Sequence, residues 1–478
     1  MGAEITISIW LFVFLVAVTA WALLERVLIP STRWFLRRRI NRVIDEISTR
    51  LDIQIRPFQL TKRQVLIDRL VYDSQVIEAI QRAARERHCP REIVQAEVLA
   101  YAKEIVPSFN AYLYFRIGYW LAKKIARLMY RVRIGLGNDQ ELTGIDPNSA
   151  IVFVMNHRSN MDYMLAAFLA AEKTTLSYAV GEWAKIWPLQ TLIRSLGAFF
   201  IRRNSGNPLY RRVLERYIQM ATKEGVCQAV FLEGRITRDG CLQPPKLGLL
   251  DYMLRYFEPK RDRDIVFIPV GLNYDRTLED RSLIRELDPQ AEKRSPWFIL
   301  KTTLGFMGRC LMLIVLSRWQ RFGYACVQFG PYISMREYSR AHGVDFSQMN
   351  RRSRFPEIEK LANRLMAAIE KVIPILPVAL VASVLAENEG EGLSAFELQA
   401  RVNALIEEIQ ARGAPVYLSR RGRVQMILNA LDTLKLRRLV AESHGVYRAD
   451  PEEVELLSYY ANSIAHWRQE SGADPRRG

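Results

Sequence analysis

The sequence predicts an α/β fold, a central sheet flanked by helices, carried behind an N-terminal transmembrane helix and an N-terminal helical region and followed by a C-terminal helical appendage. Two observations predict the centre of that arrangement. Short apolar runs recur at 151–155, 198–201, 229–232, 265–270 and 326–329, each followed by polar or glycine-containing sequence. Helical stretches lie between them, as strands wrapped by helices require. A third observation predicts the start: residues 5–24 carry no charge. At about 1.5 Å per residue that run reaches roughly 30 Å, the thickness of the bilayer core. A chain of 478 residues exceeds one ordinary domain. It divides into an anchor (1–26), a basic juxtamembrane and helical region (27–137), an α/β domain (138–387) and a helical C-terminal region (388–478).

Composition narrows the class. With 49% hydrophobic and 25% charged residues the balance is globular, excluding a disordered, collagen-like or disulfide-stapled chain. A mean hydropathy of −0.06 excludes a polytopic membrane protein. The net charge of +17 favours polyanions such as nucleic acid, anionic lipid or phosphorylated small molecules. Five scattered cysteines form no CxxC pair and no metal-ligand spacing with the five histidines. Reduced thiols and no metal site are therefore expected.

Trp10 and Trp21 lie toward the two ends of the apolar run, as interfacial aromatics do. Six arginines follow between Arg26 and Arg42 with no acid among them, which places the rest of the chain on the cytoplasmic side of the cell (inner) membrane, in contact with anionic lipid. Residues 304–316 and 372–386 are too short to cross a bilayer. Thr61-Lys62-Arg63-Gln64 has the form of a capping box. Pro90 suits the first turn of a helix carrying Val94, Val98 and Ile105. The segment 109–133 is aromatic and then basic, suited either to a bundle or to a membrane surface. After Pro377 the chain becomes helical again, and 439–447 suits a small strand pair, as in a winged helix.

Four blocks carry candidate chemistry. Asn156-His157-Arg158-Ser159-Asn160-Met161-Asp162 leaves an apolar strand and enters an apolar helix. On a regular helix, residues five apart are separated by about 140°. His157 and Asp162 therefore meet only if the histidine lies in the turn and the aspartate in the first helical turn. The carboxylate would then hold Nδ1 and leave Nε2 to accept a proton. Gly197 opens a second block that ends in Arg202 and Arg203, a guanidinium pair suited to phosphate. The third, Phe231-Leu232-Glu233-Gly234-Arg235-Ile236-Thr237-Arg238-Asp239-Gly240, continues to Lys246 and resembles an anion-binding loop. In the fourth, Pro269 interrupts an apolar strand that ends at Tyr274, implying an edge or bulged strand.

In their order, these blocks resemble the glycerolipid acyltransferase family and, within it, the glycerol-3-phosphate acyltransferases. His157-Arg158-Ser159 with Asp162 is similar to the family's His-x4-Asp motif. Gly197 to Arg203, Phe231 to Arg238, and Pro269 with Tyr274 are similar to its second, third and fourth motifs. The resemblance covers roughly 150–390 in detail. It implies acyl transfer from acyl-CoA or an acyl carrier protein to the hydroxyl of glycerol 3-phosphate, with no cofactor and no nucleic-acid partner. His157 and Asp162 would be catalytic. Arg158, Ser159, Arg202, Arg203, Glu233, Gly234, Arg235, Thr237, Arg238 and Lys246 would line the substrate site, with Glu233 organising its loop. Gly197, Pro269 and Tyr274 would be structural. One departure stands out: Ile236 occupies the place of the third motif's first arginine, and Thr237 that of its serine. The alternatives are lysophosphatidic acid or dihydroxyacetone phosphate as acceptor and, in another class, a membrane-tethered module that binds nucleic acid or lipid without turnover.

Overall fold

The computed structural model describes residues 56–135, 144–170, 175–181, 189–202, 205–288, 321–388, 391–416 and 422–468, with 305 and 312. The expected anchor at 1–26 and the arginine cluster behind it lie outside the described residues, as does the apolar run at 304–316 apart from two positions. Among the described residues no helix is long and apolar enough to cross a membrane. Cys89, Cys227, Cys241 and Cys326 form no disulfide.

The centre is a mixed sheet whose main path runs β1 (Arg131–Gly135), β7 (Tyr324–Phe329), β6 (Ile265–Tyr274), β2 (Ala150–Met155), β5 (Gln228–Phe231), β3 (Ser177–Val180) and β4 (Phe199–Phe200), with β8 (Ile333–Ser334) paired to β6. The five strands from β6 to β4 are parallel; β7 and β8 run antiparallel to β6. The five apolar runs expected from the sequence coincide with β2, β4, β5, β6 and β7. Three strands were hidden, β8 being only two residues long. β3 is only four residues long. β1 lies within the region expected to be helical, because arginines alternate with its apolar residues, as on a charged edge strand.

Alternation along β2 divides the core. Val152 and Val154 enter one apolar cluster, together with helices Pro208–Lys223, Gly248–Leu254 and Arg351–Val372. Ile151, Phe153 and Met155 face the other, under helices Tyr119–Met129 and Met161–Ala170. The N-terminal helices Arg63–Val71, Ser74–Glu86 and Arg91–Ile105 extend the first cluster. The expected capping box at Thr61 does not form. The helix starts at Arg63 without a side-chain cap, because the Thr61 hydroxyl donates to the Pro57 carbonyl of the preceding turn.

Pro269 lies in an interior strand, not at an edge. Beyond β6, β8 pairs with Val266 and Phe267, and β7 ends opposite Val270. The Pro269 carbonyl accepts from Gly330 N on that side. Proline's missing N–H therefore falls in the gap between two partner strands, where no ladder bond is lost.

Helix Pro377–Glu387 packs into a separate core with helices Ala395–Ala411, Arg423–Leu436 and Val454–Ala461, across the expected boundary at 387/388. The small strand pair expected at 439–447 is present within this otherwise helical region. β10 (Val440–Ser443) and β11 (Val446–Ala449) form a hairpin joined to β9 (Leu393–Ser394). His444 and Gly445 turn it with positive φ. The third-motif Ile236 packs against this C-terminal core, which gives an apolar residue a reason to stand there.

Candidate active site

The register of two parallel neighbours builds the site. Met155 at the end of β2 pairs with Phe231 at the end of β5, so His157 and Glu233 leave the sheet side by side. The Asn156 amide joins the loop to β6, donating to Leu272 O at 2.9 Å and accepting from Leu272 N at 2.8 Å. His157 then turns back. Its Nδ1 lies 2.8 Å from Asp162 Oδ2, in the first turn of helix Met161–Ala170. The same oxygen accepts from Arg158 N at 2.7 Å and Ser159 N at 3.0 Å. Tyr274 donates to Asp162 Oδ1 at 2.5 Å. Asp162 is fully buried, with two backbone N–H groups, the His157 imidazole and the Tyr274 phenol around it. The imidazole stacks on Phe231 at 4.1 Å and meets the edge of Tyr163 at 5.4 Å.

Glu233 accepts from His157 N at 2.7 Å through one oxygen and from Gln243 N at 2.9 Å through the other. Burial pushes its carboxyl up to about 8, against the pull of these two donors. Both of its oxygens serve the loops rather than a ligand. A second carboxylate, Glu279, accepts from Ser159 Oγ at 2.7 Å and Asn160 N at 3.3 Å. Burial raises its pKa too. Glu279 was missed in the sequence because it lies beyond the fourth motif and only folding brings it beneath the first.

The expected substrate-site residues separate into those committed to the protein and those exposed. Ser159 is taken by Glu279. The Thr237 hydroxyl lies 2.7 Å from Cys241 O and 3.0 Å from Asp239 Oδ1. Arg158 is 3% exposed. Its Nη1 donates to Gly240 O at 2.8 Å, and its guanidinium sits over Tyr459. It thus faces the C-terminal region instead of an open cleft. Arg202 holds both oxygens of Glu104, at 3.0 and 2.6 Å, between the rings of Tyr101 and Tyr210. It follows β4, three strands from β2 and so roughly 14 Å across the sheet at the usual strand spacing. Arg203 lies outside the described residues. Arg238 pairs with Glu286 at 2.8 Å. Arg235 and Lys246 are exposed on either side of Gly234, and no ion pair among the described residues takes them. Gly234 has a φ of +69°, and a Cβ there would meet the Lys246 stem. Gly197, at φ +90°, turns the chain into β4.

The C-terminal helices lean on this loop system. Asn462 Nδ2 donates to Asp239 O at 2.9 Å. Arg437 is buried against Asp280 at 2.5 Å and Tyr460. A cavity of about 930 Å³ lies between Tyr324 on β7 and helix Arg423–Leu436, and no expected site residue lines it.

A family described as "Acyltransferase" matches residues 138–273, and one described as "Glycerol-3-phosphate acyltransferase C-terminal region" matches 311–468. Over these two stretches the chain is similar to acyltransferases and to the glycerol-3-phosphate acyltransferase C-terminal region. A glycerol-3-phosphate acyltransferase of Aeromonas hydrophila is 26% identical over 418 residues, covering 85% of this chain and 50% of the relative. One from Pseudoalteromonas atlantica is 26% identical over 423 residues with the same coverage. The chain thus spans about half the length of the curated relatives it matches. The crystal structure of the 1-acyl-sn-glycerophosphate acyltransferase PlsC from Thermotoga maritima aligns with 53% of this chain and 78% of its own. The identity is 14% and the TM-score 0.29, too low to carry an inference.

Proposed function

We propose that this protein transfers a fatty acyl group from an acyl thioester, acyl-CoA or an acyl carrier protein, to the hydroxyl of glycerol 3-phosphate. The observation that carries the reading is the His157 Nδ1 to Asp162 contact at 2.8 Å, in a chain whose curated relatives bear that name. Asp162 fixes the tautomer with Nε2 unprotonated and steadies the imidazolium once it forms. Nε2 takes the proton as the substrate hydroxyl oxygen attacks the thioester carbonyl. The tetrahedral intermediate expels the thiolate, which receives that proton back from His157. General base catalysis of this kind supplies about 10²–10⁴-fold. Arg235 and Lys246 are exposed cations of the third-motif loop, suited to the phosphate, while Arg158, Ser159, Glu233 and Thr237 hold the loops in shape. A membrane product suits a basic, membrane-associated enzyme. Trp120 is exposed on helix Tyr119–Met129 beside Lys123 and Lys124, a face suited to anionic lipid.

The test is turnover of purified protein with glycerol 3-phosphate and a palmitoyl thioester, beside lysophosphatidic acid and dihydroxyacetone phosphate. His157→Ala is expected to lower kcat by about 10²–10⁴-fold with the fold intact by circular dichroism. Near-native turnover in that variant would refute the base, and preference for another acceptor would reassign the substrate.

A further inference from the structure

Three side-chain nitrogens beneath the His157 loop have no partner among the described residues although they are buried: Nε and Nη2 of Arg158 and Nε2 of His466. Arg158 is 3% exposed. All three belong to residues that line one small cavity, together with Glu233, Gly240 and Ser463, and its volume is about 10 Å³. That space holds one water and excludes a phosphate. The chemistry is complementary. Arg158 offers two donors and no acceptor. His466 hydrogen-bonds the Glu370 carbonyl, which places its proton on Nδ1 and leaves Nε2 an acceptor. A single water accepting from Arg158 and donating to His466 satisfies both ends, whereas orphaned buried polar groups are costly.

Arg158 also joins two loops of the site. Its backbone N–H donates to Asp162 Oδ2, and its Nη1 donates to the third-motif loop at Gly240 O. His466 stands on the 3₁₀ turn Asn462–Trp467, which Ser463 fixes against Asn273 of β6 at 3.4 Å.

We propose that this C-terminal turn is a positioning element of the acyl-transfer site, His466 holding Arg158 through one buried water and Arg158 holding the loop that carries His157. The proposal rests on the acyl-transfer reading for its kinetic test but not for its structural one.

The experiment compares His466→Phe, which keeps a ring but removes the acceptor, with His466→Gln, which restores an acceptor at a similar reach. In His466→Phe, kcat is expected to fall about tenfold, the size of one hydrogen bond to a charged group. The acceptor KM should stay within about twofold, since substrate binding is not touched. His466→Gln should recover most of the loss. Arg158→Lys combined with His466→Phe should be no worse than Arg158→Lys alone, because both act through one water. Native kcat in His466→Phe, equal losses in the Phe and Gln variants, or additive losses in the double variant would overturn the proposal. Hydrogen exchange of the Arg158 and Ser159 amides gives a readout independent of activity. Faster exchange in folded His466→Phe supports the relay and unchanged exchange refutes it, even if the wild type proves to use another acceptor.

Discussion

At the scale of single residues, the site separates groups that hold from groups free to meet a ligand. Asp162 binds four donors at once, so its first duty is geometric: without it, neither the Arg158 and Ser159 amides nor the imidazole has a fixed direction. The exposed cations are a different case. Arg235→Ala or Lys246→Ala is expected to raise the acceptor KM about tenfold while leaving kcat nearly unchanged, since a charge-assisted hydrogen bond contributes about 1.5–3 kcal/mol. Initial-rate kinetics over a range of glycerol 3-phosphate would check this. A kcat loss at constant KM would place these cations outside the phosphate site. His157 and Asp162 were legible in the sequence because a strand-to-helix turn is the local geometry that lets residues five apart meet. The partners of Arg202 and Arg238 were not legible. Glu104 and Glu286 lie 98 and 48 positions away, and no local pattern points to them.

At the scale of elements, close approach decides what the loops tolerate. Gly240 has a φ of +82°, and a Cβ there would stand 2.0 Å from Tyr459 O of the C-terminal helix. Gly413 has a similar φ of +84° with nothing within 4 Å. Gly413→Ala therefore costs backbone strain alone, about 1 kcal/mol. Gly240→Ala adds a clash and is expected to lose roughly 2–4 kcal/mol and loosen the third-motif loop. Urea denaturation of the two variants checks the difference, and equal losses would show that the C-terminal helix does not press on that loop. Element types followed from periodicity for β2, β5 and β6, whose apolar runs are continuous. They did not follow for β1, whose arginines interrupt its pattern, nor for β3, whose four residues are too few to show one.

At the scale of the whole molecule, two cores are joined at the site. His466 is half-buried where they meet, its Nε2 enclosed, and loss of solvent brings its pKa down to about 4, Arg158 adding to the shift. A depressed folded value means the unfolded chain binds the proton more readily. That part of the stability is complete above about pH 6.5 and is lost as pH falls toward 4. The window spans on the order of 3 kcal/mol at 1.36 kcal/mol per unit. Thermal melts between pH 4 and 7 should therefore show a decline that His466→Gln removes in part. A pH profile identical in wild type and variant would count against a buried neutral imidazole.

Local pattern was enough for the alternation of strands and helices, the turn that brings an imidazole to a carboxylate, and the cationic loop beside it. These depend on neighbours within a few positions and on the apolar period of each segment. Long-range packing was needed to settle which cations stay exposed, that Glu279 lies beneath the first motif, that Pro269 is tolerated inside the sheet, and that the C-terminal turn reaches Arg158. Those outcomes depend on which distant groups become neighbours when the sheet forms, and burial then makes their pairing obligatory.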